Sequence, residues 1–300
     1  MNILISNILV FFLYFTAASA SRIIQDDDLK LLQEKTITTE AGKTLTLSSS
    51  AGAVNIVTGT TNEVSVKIYG NENAESSFTF NVYTAENGIK VDGQKKSSDI
   101  SSIKIRFEVT VPVNYNVDIY TGGGEVSVTG INGNSKVSTS GGKVEISKTN
   151  GNIDASTMGG KITLSDNIGN SDVSTSGGKI EAYNFNGNIS ASTQGGSINL
   201  TGSNGSVKAY TGGGSIDLDY SGANNGIDIS TMAGSIKVDL PSDFDADADV
   251  STMVGKIHCD FAQPEKGMVS SFIKTKFNNG GKPFKCSTMA GSITISKKQS

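Results

Sequence analysis

The chain has no tryptophan, one histidine, two cysteines, four prolines and only two arginines, Arg22 and Arg106. Each scarcity removes something. With no Trp and few aromatic residues, a conventional core of large packed side chains is not expected. The single His258 has neither a Ser motif for a triad nor enough neighbouring ligands for a metal site. Two arginines and a net charge of −4 spread along the chain make no basic stripe, so nucleic acid is not the expected partner. Four prolines against 35 glycines is not the composition of a disordered Pro/Gly linker. Long apolar runs are also missing, with one exception. Ile3 to Phe15 is mostly apolar, and Ala18-Ser19-Ala20 has the small residues of a cleavage site. The run is short for a membrane span and Asn7 interrupts it, so residues 1–20 read as a signal peptide. The expected destination is secreted, periplasmic or cell surface, with no membrane span after signal cleavage.

What the chain does have is a repeat. Thr121, Thr139, Thr157, Thr175, Thr193 and Thr211 follow one another at intervals of eighteen residues. The interval then stretches to twenty at Thr231, twenty-one at Thr252 and thirty-six at Thr288. A Gly-containing turn follows each Thr, as in Gly141-Gly142 and Gly159-Gly160, and a second turn follows nine residues later, as in Asn150-Gly151. Between the turns, residues alternate with period two: Val144-x-Ile146 and Ile162-x-Leu164 in one strand, Ile153-x-Ala155 and Ile189-x-Ala191 in the other. One such two-strand unit cannot bury its apolar face alone. Copies stacked at ~4.8 Å can, because like residues then lie in columns and backbone groups pair from coil to coil.

The fold class is therefore all-β: a parallel β-solenoid (a two-sheeted β-helix or β-roll) with coils of about eighteen residues. Its expected divisions are a polar lead-in over 21–40, with one helical turn around Leu29–Lys35, irregular N-terminal coils and a cap over 41–120, and the regular solenoid over 121–296. A loop insertion over 261–282 is expected between the two strands of one late coil. Each coil is expected to stack on the one before it in the chain.

Residues 103–135, "IKIRFEVTVPVNYNVDIYTGGGEVSVTGINGNS", carry a strand ending in Val-Pro, a Thr-Gly-Gly-Gly turn, a V-x-V strand and an Asn-Gly turn. Over residues 41–296 the pattern resembles the bacterial β-strand-repeat "putative adhesin" domain family, a domain of unknown function. That resemblance implies an exported or cell-envelope β-solenoid and brings no catalytic residues with it.

Several residue sets are candidate sites. The Thr column (Thr121, Thr139, Thr157, Thr175, Thr193, Thr211) points inward at a corner and reads as a hydroxyl ladder to turn backbone. Its outward neighbours Ser138, Ser156, Ser174 and Ser192 lack the paired threonines of an ice-binding face. Asn134, Asn152, Asn170 and Asn188 form a second column whose amides can bond along the axis. The frame Gly141 to Ile146 lacks the Gly and Asp of a calcium β-roll, so no metal or cofactor is assigned. Asp243, Asp245, Asp247 and Asp249 read as a solvated acidic edge. Cys259 and Cys286 fall on inward positions of one coil, open either to a disulfide that clamps the insertion or to two buried thiols. The outward column Glu145, Thr163, Glu181, Asn199, Asp217, Lys237 never stacks two acids on adjacent coils, which weighs against a glycosidase.

The function expected is a non-enzymatic, adhesin-like binding or structural protein. Its partner would be a glycan or a cell-surface protein, met on the outward strand faces or on the 261–282 loop. The alternatives are a carbohydrate-active enzyme on the same scaffold, and an envelope-stress or assembly scaffold that binds protein partners.

Overall fold

The structure is a computed structural model that describes residues 29–96, 102–263, 265–266 and 271–298. Residues 1–20, the expected signal peptide, Asp26-Asp27-Asp28 and part of the 261–282 insertion lie outside the described residues. Two sheets face one another, one of thirteen strands and one of fourteen. Two of the thirteen, Lys30–Thr38 and Glu63–Gly70, are antiparallel, which leaves eleven stacked coils and a rod of about 50 Å.

The regular coils keep register residue for residue. Val144 lies level with Val126 and Ile162, Ile146 with Val128 and Leu164, and Ala155 with Val137 and Val173. Val144, Ile146, Ile153, Ala155, Ile162 and Leu164 are all at most 3% exposed. The core is thin, and each fully buried Ile or Leu contributes about 1.5–3 kcal/mol. Ring–ring contacts among the described residues lie towards the ends: Phe78, Phe80 and Phe107 at one, and Tyr220, Phe244, Phe261, Phe277 and Phe284 at the other.

Coil order in space departs from coil order in the chain at both ends. The first coil of the chain, Thr44–Ser49 with Ala53–Gly59, sits between the second, Gly88–Lys95 with Ile105–Pro112, and the third, Asn116–Thr121 with Val126–Thr129. The last coil, Pro283–Ala290 with Ile293–Lys297, is inserted between Ile227–Ala233 with Ile236–Leu240 and Ala246–Val254 with Ile257–Cys259. The spacing of thirty-six before Thr288 thus marks a return of the chain into an interior slot. Antiparallel strands then cover the outermost coils: Phe78–Ala85 and Glu63–Gly70 at one end, Ser271–Phe277 at the other.

Three further expectations are corrected. The chain around Leu29–Lys35 is not a helical turn; Lys30–Thr38 is a strand paired antiparallel with Glu63–Gly70. The one helix among the described residues lies instead at Glu72–Ser77, capped by the Asn71 side chain accepting from the Ala74 N–H at 3.0 Å. The 261–282 insertion does not sit between the strands of one coil, because Ile257–Cys259 and Pro283–Ala290 belong to neighbouring coils. For the same reason Cys259 and Cys286 do not share a coil. Cys286 lies between Ile229 and Val250 in one sheet, and Cys259 lies level with Ile295 in the other. Both are free and buried, with no disulfide between them. Burial raises both thiols above their ordinary value, most strongly at Cys286. A thiol reagent should therefore leave both unmodified in the native protein and label two per chain after unfolding; rapid native labelling would contradict the burial.

Candidate functional site

The corner after each second strand is built by one Thr and one Gly. Thr157 Oγ donates to the Gly142 carbonyl of the neighbouring coil at 3.0 Å and accepts from its own Gly160 N–H at 3.2 Å. Thr139, Thr175, Thr193 and Thr211 repeat both bonds. Thr121 reaches the Gly52 carbonyl at 2.9 Å. Thr288 reaches Gly234 at 3.0 Å and Thr252 reaches Gly291 at 2.9 Å, so the ladder passes through the inserted coil. These hydroxyls are buried and their bonds are used within the corner, which leaves them nothing to offer a ligand.

The Asn column lies on the outer rim of the fourteen-stranded sheet. Asn188 Nδ2 donates to Asn170 Oδ1 at 2.9 Å and Asn170 Nδ2 to Asn152 Oδ1 at 3.1 Å. The Asn152 N–H donates to Asn134 Oδ1 at 3.3 Å, and Ser206 continues the column through its own N–H to Asn188 Oδ1 at 2.8 Å. A buried polar pair escaped sequence reasoning: Thr149 Oγ donates to Asn167 Oδ1 at 2.6 Å. Eighteen residues separate the two, so the period held that signal.

Beside the exposed Asn column runs an open trough parallel to the rod axis. One stretch, about 500 Å³, is lined by Asn152, Asn170, Asn188, Asp172, Ser190 and Lys208. The next, about 360 Å³, is lined by Asn116, Asn134, Asp118, Lys136 and Asp154. Asp154 and Asp172 are directly opposite on adjacent coils, a like-charge pair that weakens the sheet. The column Glu145 to Lys237 keeps its acids apart, but this one does not, and neither does Asp219 beside Asp239 on the other sheet. The outward column next to the trough reads, in spatial order, Tyr120, Ser138, Ser156, Ser174, Ser192, Tyr210. Tyr120 is 49% exposed and Tyr210 43%. Four small hydroxyl residues thus lie between two outward aromatic rings about 24 Å apart.

Two other sets are less open to a ligand. Asp245 accepts from the Asn279 N–H at 2.9 Å, and Asp247 Oδ1 from the Gly281 N–H at 3.3 Å. Asp247 and Asp249 face Lys276 and Lys274 across the sheet, and Asp249 faces Lys285 on its other side. Asp247 and Asp249 are therefore no acidic edge: they sit on an interior strand between two lysine-bearing ones, and Asp243 and Asp245 precede that strand. His258 Nε2 lies 3.4 Å from Asp260 Oδ1 at the surface. Among the described residues no three His, Cys, Asp or Glu converge as metal ligands.

Glu181 is the most perturbed outward group. Burial alone would raise its carboxyl, but hydrogen bonds from Lys161 and Lys179, both 2.7 Å away, and from Tyr183 Oη at 2.8 Å hold it down at about 2. The depressed value makes its contribution complete above about pH 4.5 and lost as the pH falls towards 2. The half-exposed lysines limit that contribution to about 1–2 kcal/mol. Glu181→Gln should lose about that much at pH 7 and show a shallower decline in denaturant midpoint between pH 4.5 and 2. An unchanged acid profile would mean the clamp does not form in solution.

The model of the Toastrack DUF4097 family matches residues 43–296. No curated protein matches the chain. Among solved structures, one named a "putative adhesin" from Bacteroides fragilis is 16% identical, covers 89% of this chain and 97% of its own, and has a TM-score of 0.47. Another so named, from Parabacteroides distasonis, is 10% identical over 89% of this chain and 97% of its own, with a TM-score of 0.40. A third, from Parabacteroides merdae, is 11% identical over 91% and 98%, with a TM-score of 0.31.

Proposed function

The chain belongs to the Toastrack DUF4097 family, and on that premise we propose that it is an exported, adhesin-like surface protein that binds extended, hydroxyl-rich polysaccharide along the outer face of its fourteen-stranded sheet. The observation that carries this reading is the column Tyr120–Ser138–Ser156–Ser174–Ser192–Tyr210 beside the amide-lined trough. Sugars are held by two kinds of group. Their hydroxyls need donors and acceptors in number, which Asn152, Asn170, Asn188, Asp154 and Asp172 provide. Their C–H faces need exposed aromatic rings, which Tyr120 and Tyr210 provide at either end. The strand spacing is close to the repeat of an extended pyranose chain, so like groups recur in step with the sugars. The trough is open to solvent along its length, which suits reversible binding better than chemistry that depends on excluding water. The leader-like residues 1–20 support export.

The test is a glycan array followed by retention on the best polysaccharide. Tyr120→Ala with Tyr210→Ala should cut retention at least about tenfold, since each stacking contact contributes on the order of 1 kcal/mol. Undiminished retention would move the site elsewhere. The adjacency of Asp154 and Asp172 favours one second reading, a carbohydrate-active enzyme. Reducing-sugar release that stops in Asp154→Asn or Asp172→Asn would establish that reading and displace the first.

A further inference from the structure

The corner that carries the Thr–Gly ladder changes character at the C-terminal end. Along most of the rod the two residues after the Thr are small or polar: Gly122-Gly123, Ser140-Gly141, Ser176-Gly177, Gln194-Gly195, Gly212-Gly213. Met158 is an isolated exception. In the last three coils in space the pairs are Met232-Ala233, Met289-Ala290 and Met253-Val254. All six residues are exposed; Met232 and Met289 are each 50% exposed, Met253 56% and Val254 67%. Met289 is level with the corner between the other two only because the last coil of the chain returns to an interior slot. Intercalation sets the order within this continuous apolar ridge, with Met289 in the middle.

From this ridge we infer that the C-terminal end of the rod makes peripheral contact with an anionic lipid surface. The six residues are the last two of three adjacent strands, Ile227–Ala233, Pro283–Ala290 and Ala246–Val254, so the ridge runs across the end of the sheet as an exposed row. Six side chains are far short of the roughly 800 Å² per partner that a stable protein interface covers. A bilayer needs no matching shape: flexible Met and branched Val side chains enter the boundary between headgroups and acyl chains. Charge agrees in sign. Over the three corner segments 232–235, 253–256 and 289–292, the one ionisable side chain is Lys256, which is exposed beside Val254. A cation next to an apolar ridge is the pairing that draws a surface contact to anionic headgroups.

The experiment is flotation of the mature chain with vesicles of phosphatidylcholine alone, and with one part in three of phosphatidylglycerol. The protein should float with the anionic vesicles, less so as salt rises, and little with the neutral ones. Met232→Gln, Met253→Gln and Met289→Gln combined should cut the bound fraction several-fold, with the melting temperature unchanged because these side chains are exposed. Lys256→Glu, which leaves the ridge intact, should cut it independently. Failure of the unaltered chain to float, or flotation undiminished in the triple variant, overturns the inference. So does a sedimentation coefficient showing self-association that the triple variant abolishes without any vesicle binding, since the ridge would then be a contact between copies.

Discussion

Ile162→Asp should unfold the middle of the rod. Ile162 is fully buried, level with Val144 and Ile180 in the columns on either side. The interior is two side chains deep, and the described neighbours are Val, Ile, Leu and Ala, with no cation to pair with a new carboxylate. An unpaired buried charge costs several kcal/mol even after its carboxyl neutralises, against a total domain stability of about 5–15 kcal/mol. Coils are coupled to their nearest neighbours, so the damage should spread along the axis before it spreads elsewhere. Loss of most β circular dichroism, or a fall in melting temperature above about 15 °C, is the expected reading. The matched outward change, Ser165→Asp, between Ser147 and Tyr183, is the control for an added charge on the same strand. Retention of the full spectrum and melting temperature in Ile162→Asp would mean that the inward assignment is wrong.

Gly160→Ala should be nearly as damaging, while Gly159→Ala should be silent. A Cβ on Gly160 would lie 1.9 Å from the Gly142 carbonyl oxygen, and no side-chain rotation relieves a contact with backbone. A Cβ on Gly159 meets nothing within 4 Å. The same asymmetry runs through the other coils: Gly142, Gly178 and Gly196 are blocked at 1.6–1.8 Å, and Gly141, Gly177 and Gly195 are open. The chain itself agrees, since the open position holds Ala233, Val254 and Ala290 at the far end while the blocked one is still Gly234, Gly255 and Gly291. The blocked glycine also carries the bonds to Thr157 and, through its carbonyl, to Thr175. A loss of about 3 kcal/mol is expected for Gly160→Ala and under about 0.5 for Gly159→Ala, read from denaturant midpoints. Equal effects would show that the coils are spaced more loosely than the Thr–Gly ladder requires.

These two positions also show what the sequence made legible. An interval of eighteen with period-two alternation fixes which residues face inward, because register in a stacked sheet admits no one-residue slip without exposing the whole core face. Thr139, Asn152, Val144 and Ile153 could be placed on that basis alone. The pairing of Asp154 with Asp172 was equally available from the interval, on the opposite sheet from the Glu145 column. Other features had no local signal. Lys30–Thr38 becomes a strand because of a partner some thirty residues away. Gly88–Lys95 has a short I-x-V core in a polar setting and gains its place from Thr44–Ser49 on one side and Phe78–Ala85 on the other. The return of the last coil leaves only stretched intervals at Thr252 and Thr288, and a stretched interval reads equally well as an insertion. The separation of Cys259 from Cys286, and the lysines that Ser271–Phe277 brings beside Asp247 and Asp249, follow from that one topological step.

Disulfide trapping tests the step most directly. Ser230 and Ser287 are outward and directly opposite on neighbouring strands, while Ser251 lies one strand beyond Ser287. Adjacent strands fall within disulfide reach, whereas Ser230 and Ser251, two spacings or about 9.6 Å apart, do not. The native thiols are buried and poorly ionised, so they should not compete. Under mild oxidation, Ser230→Cys with Ser287→Cys should form an intramolecular bond, and Ser230→Cys with Ser251→Cys should stay reduced. A bond in the second pair and none in the first would mean that the coils stack in chain order, and the interior slot would not exist.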